Sequence, residues 1–317
     1  MNWNLNVAIE REFIKNNIIG SFIPKNDICP VCNKGLIGYK NKESILNPIE
    51  FKCNNYKCTR NFPIRKDTIF EFNPKIPISV LYTIINYWLV DSFNVSKIKD
   101  KLQEKYNLNN VDKRFIYRFI FNCRKIISNY LRNVYSIERL ALKNANDIIC
   151  ADESLFTHEY GVQTWVVGLL NTKNDSIRLE VVSNRNEENI KAIITKHVGV
   201  GNTIYTDSWS AYNFLSRPDS GYIHNFVNLS HGIFGLTSRI EGLWGEIKSI
   251  IKKIYNSIHS DHFIYFLREA EYRRTLRSLN SFEILKDFCS VVSSVSIKEL
   301  IDEDSLKDIF YDFCYDD

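Results

Sequence analysis

The sequence lacks an apolar run long enough for a membrane-spanning helix. A span needs about 20 consecutive apolar residues, and the 317-residue chain contains no run near that length. The N-terminal segment MNWNLNVAIEREFIKNN has no apolar core and no small-residue cleavage site, so we expect no secretory signal. A strong net charge is also missing, because the formal net charge is only +4. We therefore expect no membrane partner, and the charge permits an acidic partner without indicating one.

The length and composition are sufficient for more than one hydrophobic core. Hydrophobic residues make up 44% of the 317 residues, which allows two domains or one large domain with appendages. Basic residues are concentrated in residues 97–132 and 248–277, whereas the C-terminal segment EDSLKDIFYDFCYDD is acidic. The sequence therefore predicts distinct segments along the chain.

Four of the eight cysteines are clustered near the N-terminus, as Cys29, Cys32, Cys53 and Cys58. Without a secretory signal we expect a reducing compartment, where clustered cysteines favour a metal over disulfides. Two close pairs supply four thiolates, and residues 35–40 and 49–52 fit the strands of a hairpin between them. The pattern predicts a zinc ribbon over residues 25–72 with a structural Zn²⁺. The alternative is a chance cluster of buried thiols.

Residues 73–140 show apolar side chains at helical spacing, with short polar connections. They predict a helical, helix-turn-helix-like DNA-binding segment, preceded by an N-terminal helical extension over residues 1–24. The last helix of the segment carries interleaved basic and aromatic residues, namely Arg114, Tyr117, Arg118, Arg124 and Lys125. The DNA-binding interpretation and a small helical bundle with a solvated basic face are both open.

The periodicity changes over residues 145–280, where strands and helices alternate. The expected strands and helices are strands 147–156, 161–172 and 175–184, helix 186–199, strands 203–206 and 221–228, and helix 237–255. This order is typical of an α/β ribonuclease-H-like domain, with a mixed five-stranded sheet and flanking helices. The remaining residues 281–317 are expected to form an acidic helical tail.

Three carboxylates lie at positions that the predicted fold could bring together. Asp152 is expected at the end of the first strand, Asp207 at the end of the fourth, and Glu241 on the long helix that follows. If they converge, their mutual repulsion requires cations, and two Mg²⁺ or Mn²⁺ ions about 3.5–4 Å apart would form a phosphoryl-transfer site. Taken singly, each has a plainer interpretation: Asp207 as a helix cap, and Glu241 as a solvated residue.

The motifs together resemble the Merlin-type DDE transposases and the related ISXO2-like transposases of bacterial insertion sequences. The resemblance covers roughly residues 20–280. It rests on the ordered motifs CPVC…FKCNNYKC, FPIRKDTIFEFNPKIPI, ADES, IYTDSWSAY, SRIEGLWGEIKSIIKKIY and FIYFLREAEYRR. It implies a DDE triad of Asp152, Asp207 and Glu241, with Lys248 as a contact to substrate phosphate.

Three neighbouring residues need separate interpretation. Glu246 is a second candidate for the third acid, but it lies roughly 140° around the helix from Glu241, and we prefer Glu241 for its place in the motif. Glu153 points to the opposite side of the strand from Asp152, so we expect it outside the metal site. Trp244 is interpreted as a core residue, although stacking at the site is an alternative.

These features predict a DDE transposase. It would bind the terminal inverted repeats of a DNA transposon and catalyse metal-dependent phosphodiester hydrolysis and strand transfer. Its partners would be double-stranded DNA, at transposon ends and target, and further copies of the chain in a dimer or larger multimer. The alternatives are a domesticated, catalytically inactive DNA-binding protein and a ribonuclease-H-like nuclease. We expect the nucleus in a eukaryotic host, which we favour, or the cytoplasm in a bacterial one.

Overall fold

The computed structural model forms two compact units, Met1–Ile127 with Ser278–Asp317, and Ser128–Arg277. The described residues are 3, 5–22, 28–29, 31–34, 37–157, 161–226, 237–254, 260–297 and 300. Within these ranges, no helix combines the length and the apolarity that a membrane span requires.

The first unit contains a small antiparallel sheet and most of the helices. Its elements are α1 (Val7–Asn17), β1 (Ile37–Asn41), β2 (Ile49–Cys53), β3 (Asn61–Pro63), the 3-10 helix Ile69–Phe72, α2 (Ile78–Ile85), the π-helix Asn86–Val90, α3 (Val95–Tyr106), the first part of α4 (Lys113–Ile137) and α8 (Ser281–Ser293). Asparagine begins three of these helices, because the side chains of Asn6, Asn94 and Asn280 accept backbone N–H bonds at the starts of α1, α3 and α8.

The hairpin predicted between the cysteine pairs is present. Strand β1 pairs antiparallel with β2, and Ile37 lies opposite Cys53. Strand β3 then pairs with β2 on its other side. The buried side chain of Arg65 donates to the backbone oxygens of Leu46 and Ile76. Because these carbonyls lie on separate loops, Arg65 holds the small sheet against the chain that leads into α2.

The basic helix of the predicted DNA-binding segment is less exposed than its sequence suggests. Arg114 is exposed, whereas Tyr117, Arg118 and Lys125 are half-buried. Arg124 is 2% exposed, and its guanidinium lies 5.9 Å from the centre of the Trp88 ring. Arg124 therefore belongs to the core of the first unit, and the prediction that it contacts DNA is wrong.

The second unit is built on a mixed five-stranded sheet of order β6-β5-β4-β7-β8. Its elements are β4 (Ile148–Thr157), β5 (Gln163–Asn171), β6 (Ile177–Val182), α5 (Glu187–His197), β7 (Thr203–Thr206), the 3-10 helix Ser210–Ser216, β8 (Ile223–Phe226), α6 (Thr237–Ile254), the 3-10 helix Ser260–His262 and α7 (Phe263–Thr275). Strands β4, β5 and β6 are antiparallel, and β7 and β8 continue the sheet in parallel. This topology is the ribonuclease-H-like arrangement that the sequence predicted.

Both faces of this sheet are covered by helices. Helix α5 and the 3-10 helix Ser210–Ser216 pack on one face, against a core that includes Ile149 and Ala151 of β4. Helices α6 and α7 pack on the other face, against a core that includes Cys150 and Phe156. Alternate residues of β4 therefore face different helices, as the pleat of a strand requires.

A buried polar cluster fixes where the central strands begin. The side-chain oxygen of Asn202 accepts the N–H of Asp147 at 2.9 Å, and its nitrogen donates to the Gly199 oxygen at 2.7 Å. Asn171, at the end of β5, donates to the Asp147 carboxylate at 3.0 Å. Because buried polar groups are costly without partners, the cluster sets the register between β4, β5 and β7.

Helix α7 is held to β6 by buried charges. Arg268 donates to the Glu271 carboxylate at 2.6 Å and to the Glu180 carboxylate at 3.0 Å. Burial alone would raise the pKa of Glu180, but His197, Arg268 and Lys196 outweigh it and lower the pKa to about 2. The ion pairs therefore fix α7, which in turn supports α6 on the same face of the sheet.

The predicted acidic tail lies partly outside the described residues. Its first part forms α8, which begins with a capping box between Asn280 and Glu283. Residues 301–317 lie outside the described part of the chain.

Candidate functional site

The register of the two central parallel strands aligns Asp152 with Asp207. Ile148 lies opposite Thr203 and Cys150 opposite Tyr205, and the same offset, continued beyond this last pair, would bring Asp207 level with Asp152. Neighbouring strands lie about 4.7–4.9 Å apart. Strand β7 ends at Thr206, so the edge of β4 next to Asp152 opens where Asp207 leaves the sheet.

The prediction that Asp152 ends its strand is wrong. Strand β4 continues to Thr157, and Asp152 pairs with Gly168 of the antiparallel strand β5. The polar run Asp-Glu-Ser resembled a strand end, but β5 supplies backbone hydrogen bonds along the whole of β4. Only the parallel partner β7 stops, and that is what leaves Asp152 at an open edge.

The N-cap of the 3-10 helix Ser210–Ser216 is Trp209, so the interpretation of Asp207 as a helix cap is wrong. The Oδ1 atom of Asp207 accepts the backbone N–H of Trp209 at 2.9 Å, just before this 3-10 helix. The side chain is half-buried. Since a carboxylate has several lone pairs, this hydrogen bond orients Asp207 and leaves acceptor capacity for a further ligand.

Glu241 is exposed on α6, within electrostatic reach of Asp152. Helix α6 buries Ile240, Leu243 and Ile247 against the sheet, and each large apolar side chain contributes about 1.5–3 kcal/mol when fully buried. Burial raises the pKa of Asp152, and the negative charges of Asp207 and Glu241 raise it further. Asp207 and Glu241 are therefore both close enough to Asp152 for their charges to act on its pKa.

Trp244 contacts the first carboxylate directly. Its indole nitrogen donates to Oδ2 of Asp152 at 3.0 Å, and this bond counteracts part of the rise in the pKa of Asp152. The ring packs over Gly168, where an added Cβ atom would lie 2.6 Å from two ring atoms. Its edge meets Phe156 at a centroid distance of 6.2 Å. Trp244 is thus a core residue, as expected, and also a hydrogen-bond donor to Asp152.

Glu153 faces the other side of the sheet, as its place beside Asp152 predicted. Its side chain is 3% exposed, and its Oε2 lies 4.0 Å from the guanidinium of Arg185. Burial raises the pKa of Glu153, an interaction with Tyr212 lowers it, and the charges of Asp152 and Asp207 raise it again. Glu153 therefore lies behind the open edge, on the face that packs against the 3-10 helix.

The carboxylate of Glu246 forms ion pairs with two arginines. Nη1 of Arg274 lies 2.6 Å from its Oε2 atom, and Arg277 pairs with its other oxygen. Arg274 also pairs with Asp175 at 3.2 Å. Glu246 is therefore engaged in ion pairs with α7 and the chain after it, whereas Glu241 is exposed.

Lys248 is exposed two turns after Glu241 on α6. Its ammonium nitrogen lies 5.3 Å from the centre of the Phe156 ring, and Phe156 stands on the same face of β4 as Asp152. Lys248 therefore lies along the side of the sheet that carries the carboxylates, where it could meet a phosphate group.

The four clustered cysteines lie together in the first unit. Their sulfur atoms are all within 4.8 Å of one another, with Cys29–Cys58 and Cys32–Cys53 separations of 3.8 and 3.7 Å. Tetrahedral zinc with bonds of about 2.3 Å would place its sulfurs about 3.8 Å apart. The cluster therefore fits a zinc ion, and the Asn55 N–H groups approach the sulfurs as outer-shell donors at 3.4 and 3.7 Å.

Among the described residues, only these cysteines bring three or more ligand atoms within 4.8 Å of one another. The oxygens of Asp152, Asp207 and Glu241 are spaced more widely. Wider spacing is expected of like charges, which repel in a partly buried site. Carboxylate oxygen is the donor that Mg²⁺ prefers, so the chemistry of the triad fits a hard divalent cation.

The mixed five-stranded sheet, with Asp152 beside the end of β7, is the architecture expected of a ribonuclease-H-like domain. Residues 157–275 match the family model of the ISXO2-like transposase domain. This match supports a DDE transposase related to those of insertion sequences and confirms the resemblance for these residues. Asp207 and Glu241 lie within the match and Asp152 just before it. No curated protein sequence gives a significant match.

Solved integrase structures are also similar to this chain. The trimeric and dimeric forms of the HTLV-2 integrase catalytic core domain in complex with magnesium are 15% and 16% identical, with TM-scores of 0.26 and 0.29. They cover 48% and 46% of this chain and 86% and 98% of their own. A simian T-cell lymphotropic virus intasome in complex with PP2A regulatory subunit B56 gamma is 15% identical, with a TM-score of 0.30, covering 45% of this chain and 52% of that one. Because these TM-scores are low, the fold is assigned from the strand order of the five-stranded sheet and not from these structures.

The hydrogen bond from Trp244 to Asp152 is the feature that sequence reasoning missed. One signal was available, because a glycine inside a strand often marks the close approach of another group. Gly168 is that glycine, and it stands opposite Asp152. The ring of Trp244 fits because Gly168 has no side chain.

We predict that Trp244→Phe weakens the use of divalent metal. Phenylalanine keeps an aromatic ring but cannot donate to Asp152, and loss of such an outer-shell bond typically costs about 10–100-fold in metal affinity or activity. The measurement is a titration of Mg²⁺ by calorimetry, beside the Mg²⁺ dependence of DNA cleavage. Gly168→Ala displaces the same ring. It should likewise weaken Mg²⁺ binding and raise the Mg²⁺ concentration that DNA cleavage requires. Unchanged titrations in both variants would assign Trp244 to packing alone.

Proposed function

We propose that this protein is a DNA transposase that cuts the ends of a DNA transposon and joins them to target DNA. The main support is the parallel register that aligns Asp152 with Asp207 at the open end of β7. Helix α6 adds Glu241, whose charge acts on Asp152. The match of residues 157–275 to a transposase domain supports the same activity.

The proposed chemistry uses the carboxylates to hold two Mg²⁺ or Mn²⁺ ions. Ions held there would activate a water or 3′-hydroxyl and stabilise the leaving oxygen of the phosphodiester. Asp152 and Asp207 are orientated before any ligand arrives, through the Trp244 and Trp209 N–H groups. Lys248 would contact a substrate phosphate from the next turns of α6.

DNA-end recognition is assigned to the first unit. We propose that its zinc ribbon over residues 25–72 and its helical segment over residues 73–140 bind the terminal repeats of the element. Exposed Arg114 and Lys97 at the starts of α4 and α3 would contribute phosphate contacts. Joining two ends to one target requires two active sites, so we propose a dimer or larger multimer on DNA. For a eukaryotic host we propose the nucleus as its location, and for a bacterial one the cytoplasm.

A domesticated DNA-binding protein is the alternative function. It would need the first unit but not the carboxylates, whose mutual repulsion costs stability without a cation. The presence of all three acids, with Trp244 donating to the first, favours the enzyme.

The test is cleavage of DNA that carries the terminal repeats flanking the gene, by the wild type and by Asp207→Asn. Asparagine removes the charge, but its amide oxygen can still accept the Trp209 N–H bond. We expect Mg²⁺-dependent cleavage at the repeat ends by the wild type, and end binding without cleavage by the variant. End binding without cleavage by the wild type would support the domesticated protein, and equal cleavage by both would exclude Asp207 from the site.

A further inference from the structure

Beside the carboxylates, an arginine is layered between two tryptophans. The guanidinium carbon of Arg185 lies 3.8 Å from the centre of the Trp165 ring and 3.6 Å from that of Trp209. Trp165 belongs to β5, and Trp209 follows Asp207 by two residues. The three side chains form a continuous stack, which is called the Trp209 stack below.

The outer member of the Trp209 stack is exposed to solvent. Trp209 is 36% exposed, although Arg185 covers one face of its ring. The exposed area therefore lies on the opposite face and the ring edges. This exposed ring belongs to the residue two positions after Asp207 and therefore lies beside the proposed site.

Backbone hydrogen bonds and the packing of Arg185 behind its ring fix the position of Trp209. Its N–H donates to Asp207 Oδ1 at 2.9 Å, and its carbonyl accepts the N–H of Tyr212 at 3.1 Å. Arg185 is balanced by the buried Glu153, whose carboxylate lies 4.0 Å away. A ring that is already ordered loses little conformational entropy when a ligand stacks on it.

We propose that the Trp209 stack binds an unpaired base of the DNA strand next to the phosphodiester being cut. Aromatic side chains stack on bases of any sequence, because every base has a π face. Bases inside a duplex have both faces covered by their neighbours, so the ligand is a base that has left the duplex. The inference rests on the proposed function, because it places the base by reference to the carboxylates.

The structure assigns Arg185 a supporting part in this contact. Its guanidinium lies against the inner face of the Trp209 ring and supports that ring from behind. Trp165 forms the inner end of the stack and packs against the core beneath α5. Neither residue is expected to touch the base itself.

The test measures binding, in Ca²⁺ without turnover, to three end DNAs that differ at one nucleotide. The nucleotide next to the cleaved bond is paired, unpaired or abasic, and each strand is tested in turn. We expect the wild type to bind the unpaired base more tightly than the abasic site by roughly 5- to 150-fold. Trp209→Ala should bind these two DNAs equally, and Trp209→Phe should retain part of the preference. Phe282→Ala, which removes an aromatic residue that is 74% exposed on α8, is the control and should behave as the wild type.

The outcomes separate this inference from the proposed function. If Trp209→Ala weakens binding to the unpaired and abasic DNAs by the same factor, or if the wild type shows no preference, the stacking proposal is wrong. Asp152→Asn should lose cleavage but keep the preference for the unpaired base. A wild type that discriminates between the DNAs yet never cleaves them would retain the stacking site and overturn the enzymatic proposal.

Discussion

Glu241→Gln is expected to lower the rate of metal-dependent DNA cleavage by about 10³-fold or more. Loss of one metal-holding carboxylate removes several kcal/mol of transition-state stabilisation. Glu241 is exposed, and its charge acts unfavourably on Asp152, so the substitution should leave the unfolding temperature unchanged or slightly higher. The measurements are single-turnover cleavage and thermal unfolding of the same preparation.

Glu246→Gln is the matched control, because it makes the same chemical change five positions along the same helix. It loses ion pairs with Arg274 and Arg277, so we expect a lower unfolding temperature and near-normal cleavage by the remaining folded protein. The reverse result, in which Glu246→Gln abolishes cleavage and Glu241→Gln does not, would reassign the third acid.

Cys53→Ser is expected to remove the metal from the first unit and to unfold its small sheet. Structural zinc in small domains contributes about 10–16 kcal/mol of folding free energy, and β1 to β3 form a sheet of only 3 strands beside the four sulfurs. We predict one zinc per chain in the wild type by elemental analysis and almost none in the variant. End binding should fall with the zinc content, since the proposed binding surface includes the ribbon.

The control for this experiment is Cys289→Ser. Cys289 is a buried thiol on α8 in the same unit, and it is not part of the sulfur cluster. It should keep its zinc and its affinity for DNA ends. Wild-type protein that contains no zinc after metal-free refolding, and yet binds ends with full affinity, would contradict the ribbon assignment.

The order of elements in the catalytic domain could be predicted from the sequence because each strand and helix has a distinct periodicity. Strand β7 was expected at Thr203–Thr206 and is found there. The first strand was expected over residues 147–156, but Asp152 was also placed at its end, because polar residues such as Asp152 and Glu153 inside a strand resemble a turn. Strand β4 continues through them because β5 pairs with it as far as Thr157.

Side-chain partners were harder to predict than elements, because they depend on the tertiary fold. Glu241 could be preferred over Glu246 only for its place in the motif, whereas in the folded chain Glu246 is the one that pairs with Arg274 and Arg277. Arg124 looked like a surface residue but is buried with Trp88. Trp244 looked like core alone, since its bond to Asp152 joins residues far apart in the chain.

The most direct test of the central claim is transfer of a labelled DNA end to a supercoiled target in Mg²⁺. The substrate is a terminal repeat already cut to its 3′-hydroxyl, and the matched substrate ends in a 3′-deoxy nucleotide. The proposed transposase should join the hydroxyl end covalently to the target, fail with the deoxy end, and fail with Asp207→Asn. Joining by Asp207→Asn at the wild-type rate, or hydrolysis of the target without any joining by the wild type, would contradict the account.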